Sequence, residues 1–174
     1  MRAKTRCIAA AVLISTSSQA AAADELCTKL RTFEDAQVPN GERRWVEFHW
    51  GFDQRAIWSW ACRHSTDQLA KTTCGWLMQH TNQEFSMSLP HRIMACHGYR
   101  FPKFAHYDWG KIAGTIRLRG ASDRRILMDL NYRDLPQGEQ AVRVSVGNAN
   151  KNYEPDELPP IQPMAADRQK AASP

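Results

Sequence analysis

The chain has 174 residues, 43% hydrophobic and 24% charged, which is room for about one folded domain. Its formal charge of +5 falls to +2 once Arg2, Lys4 and Arg6 of the N-terminal segment are set aside, too small an excess to argue for a nucleic-acid partner. Beyond that segment no stretch is long and apolar enough to span a bilayer as a helix.

Residues 1–23 have the three-part layout of an export signal: the cations Arg2, Lys4 and Arg6, the apolar run 7–14, and small residues ending in Ala20, Ala21, Ala22 and Ala23. No lipobox precedes Cys7, which argues against a lipoprotein. Cleavage after Ala23 would leave a chain in the periplasm or the exterior, with one folded domain at 24–147 and a disordered tail at 148–174. Of five cysteines, Cys7 leaves with the signal and Cys27, Cys62, Cys74 and Cys96 remain. An even set in an exported chain predicts two disulfides, and three connectivities are open. Cys27 with Cys62 and Cys74 with Cys96 is the expected pairing, because the latter two fall on helices that follow one another.

The first element is a helix over 24–36, where Leu26, Leu30 and Phe33 share a face. Val38, Pro39, Asn40 and Gly41 stop it. Residues 44–50 then alternate, with Val46, Phe48 and Trp50 on one side and Trp45, Glu47 and His49 on the other, the pattern of a strand with one buried face. After a turn at 51–54, the run 56–64 places Trp58, Trp60, Cys62 and His64 in one row, so the two runs predict a hairpin. Residues 65–81 become helical, with Ser65 or Thr66 as the cap and Gln68 completing a capping box. The pattern from 82 to 89 is indistinct. Ser88, Leu89 and Pro90 read as the start of another helix, which Gly98 is placed to end. The stretch 99–110 is too aromatic for an ordinary loop and too broken for a helix. Three short β runs follow at 112–119, 125–132 and 139–146, separated by turn residues in the layout of a meander.

The expected fold is therefore α+β, a small antiparallel or mixed sheet of about five strands with about three helices, stapled by two disulfides. Residues 58–109 hold three of the five cysteines, five of the six histidines and four of the six tryptophans, a density that marks a cross-linked core or a site. His49, His64, His80, His97 and His106 with Asp108 raise the question of a metal, but neither HExxH nor paired CxxC spacing occurs, and no cofactor is expected. There is no GxSxG elbow for a nucleophilic serine, and oxidised cysteines cannot attack. His106 and Asp108 would share a face in an extended segment, the arrangement of a base and its orienting carboxylate. Trp, Tyr and Arg are the usual anchors of protein interfaces. That makes Tyr99, Arg100, Phe101, Lys103, Phe104, His106, Tyr107, Asp108 and Trp109 the candidate binding residues, and another protein the expected partner. The leading expectation is an exported, non-enzymatic binding protein, such as an inhibitor or immunity-type protein acting on a secreted enzyme. The alternative is an envelope-directed hydrolase using His64 or His106 as base.

Overall fold

The computed structural model describes residues 18–38, 43–52, 57–101, 108–120, 124–131, 135, 138–148 and 161–164. Three helices, α1 (Ser18–Asp35), α2 (Gln68–His80) and α3 (Gln83–Cys96), accompany five strands, β1 (Arg44–Phe52), β2 (Trp58–His64), β3 (Gly114–Leu118), β4 (Arg124–Leu130) and β5 (Gln140–Asn148). The strands form one antiparallel sheet in the order β2-β1-β5-β4-β3. It is the expected hairpin joined to the expected meander through β1 and β5.

One face of the sheet carries Val46, Phe48 and Trp50 of β1, Val142, Val144 and Val146 of β5, and Ile126, Met128 and Leu130 of β4. Leu26, Leu30 and Phe33 of α1, Trp76 and Leu77 of α2, and Phe85, Leu89 and Ile93 of α3 complete that core. Full burial of each large aliphatic or aromatic side chain contributes about 1.5–3 kcal/mol. Arg44 belongs to the same row of β1 yet is buried, because its guanidinium donates to the carbonyls of Phe33, Ala36 and Gln37, which end α1 without helical partners. The same guanidinium meets both oxygens of Asp67 at 2.8 and 3.1 Å. Asp67 in turn accepts the N–H groups of Leu69 and Ala70. Asp67, not Ser65 or Thr66, is thus the cap of α2, since a carboxylate serves both the free N–H groups and the arginine.

Two expectations about α3 change. It begins at Gln83, capped by Asn82, whose side chain accepts from Phe85 N at 2.7 Å, and Pro90 lies inside it instead of in its first turn. Gly98 ends it with φ of +79°, a left-handed conformation that glycine adopts without steric cost. The disulfides also differ from the expected pairing: they join Cys27 to Cys96 and Cys62 to Cys74. The reason is packing. The end of α3 lies against α1, not against α2, and brings Cα atoms of Cys27 and Cys96 to 5.1 Å. Cys62 sits on the core face of β2 directly under α2.

Candidate functional site

Alternation with one buried face implies that the opposite face of the sheet meets solvent, yet over β1, β5 and the neighbouring part of β4 it is buried, while toward the β3 edge Thr115 and Arg117 are exposed. Pairing registers align one residue from each strand in a straight row: Arg63 of β2, Glu47 of β1, Arg143 of β5, Asp129 of β4 and Thr115 of β3. Formal charge alternates along four of the five positions, so three of the four cross-strand neighbours are of opposite sign, and the fourth sets Asp129 beside the Thr115 hydroxyl. Glu47 is 1% exposed, Arg143 3% and Asp129 8%, which makes this a buried ionic layer and not a surface. Glu47 Oε2 accepts from Arg143 Nε at 2.7 Å and from its Nη2 as well. Arg63 approaches the other carboxylate oxygen at 3.5 Å, and Thr115 donates to Asp129 at 2.6 Å. The Arg143 guanidinium also lies over the Trp45 ring, 5.4 Å from its centre.

His49 occupies the next row, 1% exposed, between two carboxylates. Its Nε2 is 2.6 Å from Glu47 Oε1 and its Nδ1 is 3.1 Å from Glu139 Oε1. Burial alone would lower the His49 pKa, but the hydrogen bonds and charges of Glu139 and Glu47 outweigh it and hold the imidazole above its ordinary value. Burial likewise pushes Glu47 up, yet the bond from His49 and the charges of Arg143 and His49 win and keep its carboxyl below the usual range. Asp129 is different. Burial raises it, and the hydrogen bond from Thr115 with the charges of Arg143 and Arg43 does not compensate.

Residues 161–164 cover this layer. Met164 N donates to Glu139 Oε1 at 2.6 Å, and Arg63 reaches the carbonyls of Gln162 and Pro163 at 3.3 and 3.4 Å. Ile161 and Met164 are buried. The contacts are mainly to backbone, so the strap is held by position more than by its side-chain identities.

Five of the nine residues expected to bind are described, and their surroundings differ. Tyr99 is half-buried, donates its hydroxyl to Arg117 O at 2.8 Å and lies under the Arg119 guanidinium. Phe101 packs on His91 and edge-on to Trp109, which is 8% exposed and part of the core. Asn131, left-handed at φ of +41°, fixes that turn by donating to the Trp109 and Ile112 carbonyls while accepting from Ala141 N. Arg100 and Asp108 are exposed, the latter paired with Lys111. Lys103, Phe104, His106 and Tyr107 lie outside the described residues.

The described histidines do not converge on one site. Buried His97 contacts the Ile93 carbonyl through Nδ1 and Glu34 through Nε2; burial lowers its pKa, but Glu34 more than restores it and the net shift is upward. His80 stacks on Trp76. His64 is exposed beside a cleft of about 370 Å³ at the start of α2, which Trp45, Ser65, Thr66 and Asp67 also line. Among the described residues no group of three or more His, Cys, Asp or Glu could hold a metal ion. Sequence reasoning missed Glu47, Arg143, Asp129 and Glu139 as a unit. Its signal was present: Glu47, Asp129 and Arg143 are each a lone charge between two large apolar residues in three separate strands.

Compared with protein-family models, with curated proteins and with solved structures, the chain matches none.

Proposed function

We propose that this is an exported binding protein that acts by presenting a rigid surface to another protein, in the manner of an inhibitor or immunity-type protein of a secreted enzyme. The observation that carries this reading is the exposure of Phe52 and Ile57, the apolar residues on either side of the β1–β2 turn. Phe52 is 55% exposed and Ile57 53%, although both flank strands whose other residues are mostly covered. Phe52 leans edge-on against Trp58 at 5.1 Å, so the exposed ring is held in place. An ordered aromatic and aliphatic pair in water is the composition of an interface anchor. Two disulfides suit an oxidising compartment, and none of the described helices is long and apolar enough to cross a membrane. The buried histidines support the same reading, because His49 and His97 engage partners through both ring nitrogens and have no free lone pair for a substrate proton.

The hydrolase reading rests on His64, whose Nδ1 donates to Ser65 O at 2.7 Å and leaves Nε2 as acceptor at the cleft. One experiment separates the two. The oxidised protein and its Phe52→Ser/Ile57→Ser variant are immobilised, exposed to secreted and envelope proteins, and incubated in parallel with envelope polymers and lipids. The binding reading expects a partner retained by the intact protein and lost by the variant at unchanged Tm. Equal retention by both removes the hairpin end, and hydrolysis that disappears in His64→Ala replaces the binder with the enzyme.

A further inference from the structure

Strand β2 lies at one edge of the sheet. Ser65 N donates to Trp45 O at 3.0 Å, which sets the phase of its pairing with β1. Residues Ser59, Ala61 and Arg63 therefore direct their N–H and C=O groups to β1, while Trp58, Trp60, Cys62 and His64 direct theirs outward. Both faces of the strand are occupied. The Cys62–Cys74 disulfide ties one face to α2, and on the other Ser59 meets Met164 and Arg63 meets Gln162 and Pro163. Among the described residues β1 is the sole strand paired with β2, so the open direction is lateral.

Edge strands are ordinarily blunted by shortness, charge or proline. At the opposite edge β3 follows that rule: it has five residues, carries Arg117, and is succeeded by Arg119 and Gly120. β2 does not. It has seven residues, contains no proline, and has no charge before Arg63. A rigid, unblunted edge with its hydrogen-bonding groups aligned is a template for another strand.

The geometry points to a second copy of this chain as the occupant, its β2 antiparallel to the first about a two-fold axis at Ala61. In that register Trp58 faces the other copy's His64, Ser59 faces its Arg63, and Trp60 faces its Cys62. The whole strand is used, and the outward-facing residues fall on the hydrogen-bonded pairs, as an antiparallel ladder requires. Charge selects the direction. Antiparallel pairing sets each Arg63 against a neutral serine and each His64 against an indole, whereas parallel pairing would stack Arg63 on Arg63 and His64 on His64. This inference is independent of the hairpin-end partner proposed above.

Amide hydrogen exchange and sedimentation of the full oxidised chain across a wide concentration range test it. The expected result is a monomer–dimer equilibrium in which the amides of Trp60 and Cys62 exchange quickly when dilute and slowly when concentrated, while those of Ser59, Ala61 and Arg63 stay protected throughout. Ser59→Glu, placed against Arg63 twice by symmetry, should tighten the dimer about tenfold, and Ser59→Lys should weaken it by about the same factor. A general folding defect would shift both variants in one direction. The inference is overturned by a monomer at every concentration, by protection of Trp60 and Cys62 that ignores concentration, or by the two variants moving together.

Discussion

Glu47 shows how a charge can be kept inside this domain. It has a guanidinium on one oxygen, an imidazole on the other, and a second arginine nearby, so desolvation is met by several partners at once. The pH dependence follows from the directions of the shifts. His49 and His97 are raised, so their contributions are complete below the ordinary imidazole value of about 6.5 and are lost as pH rises through their higher folded values. Glu47 and Asp67 are lowered, so theirs are complete above the ordinary carboxyl value of about 4 and are lost as pH falls through the lower folded values. Asp129, raised by burial, acts in the same sense as the histidines: it favours the fold at acid pH and opposes it once the unfolded carboxyl ionises. Stability should therefore be greatest between about pH 4.5 and 6.5 and decline on the alkaline side. Thermal melts across pH check this, and His49→Gln should flatten the alkaline decline while lowering the plateau; an unchanged alkaline limb would show that His49 titrates alike in folded and unfolded chains. Parity alone revealed which side of β1 holds Glu47 and His49. It could not reveal that this side is also covered, because the cover comes from residues 161–164, far along the chain.

Each element was legible to the degree that its signal was local. The hairpin and the three later strands follow from alternation, and α1 from the spacing of Leu26, Leu30 and Phe33. The start of α3 was obscured by Pro90, which sits inside the helix, although Phe85, Leu89 and Ile93 recur every four residues and are all buried. Disulfide pairing was not local at all. It depends on which helix the end of α3 packs against, and adjacency in sequence suggested α2 where packing gives α1. The two bridges close separations of 69 and 12 residues. Chain entropy then assigns about 4 kcal/mol to Cys27–Cys96 and about 3 kcal/mol to Cys62–Cys74. In urea unfolding, the double Cys27→Ser/Cys96→Ser change should cost more stability than Cys62→Ser/Cys74→Ser. The opposite order would mean that the edge-strand bridge contributes stability beyond the chain-entropy effect.

At the scale of the molecule, three devices act on the same hairpin. Helices and a disulfide hold its apolar face, the ionic row and the 161–164 strap hold its polar face, and the Arg44–Asp67 pair anchors its base to α1 and α2. Among the described residues of this hairpin, Phe52, Ile57 and the lateral edge of β2 remain outward, and the proposals above place another chain there. The fold class could be inferred from pattern, but these surfaces could not, since exposure of Phe52 and Ile57 depends on where the rest of the chain goes. The aromatic stretch from Tyr99 illustrates the same limit: Trp109 is part of the core, a placement set by Asn131 and the neighbouring strands. The most direct measurement is peptide mapping, without reduction, of the protein recovered from outside the cytoplasm. A pinned hairpin in an exported chain predicts that the protein is recovered there with peptides joined through Cys27–Cys96 and Cys62–Cys74 and no free thiol among the four; free thiols or a Cys27–Cys62 link would contradict the clamp on β2, and absence of the protein from that fraction would contradict the export on which the binding role depends.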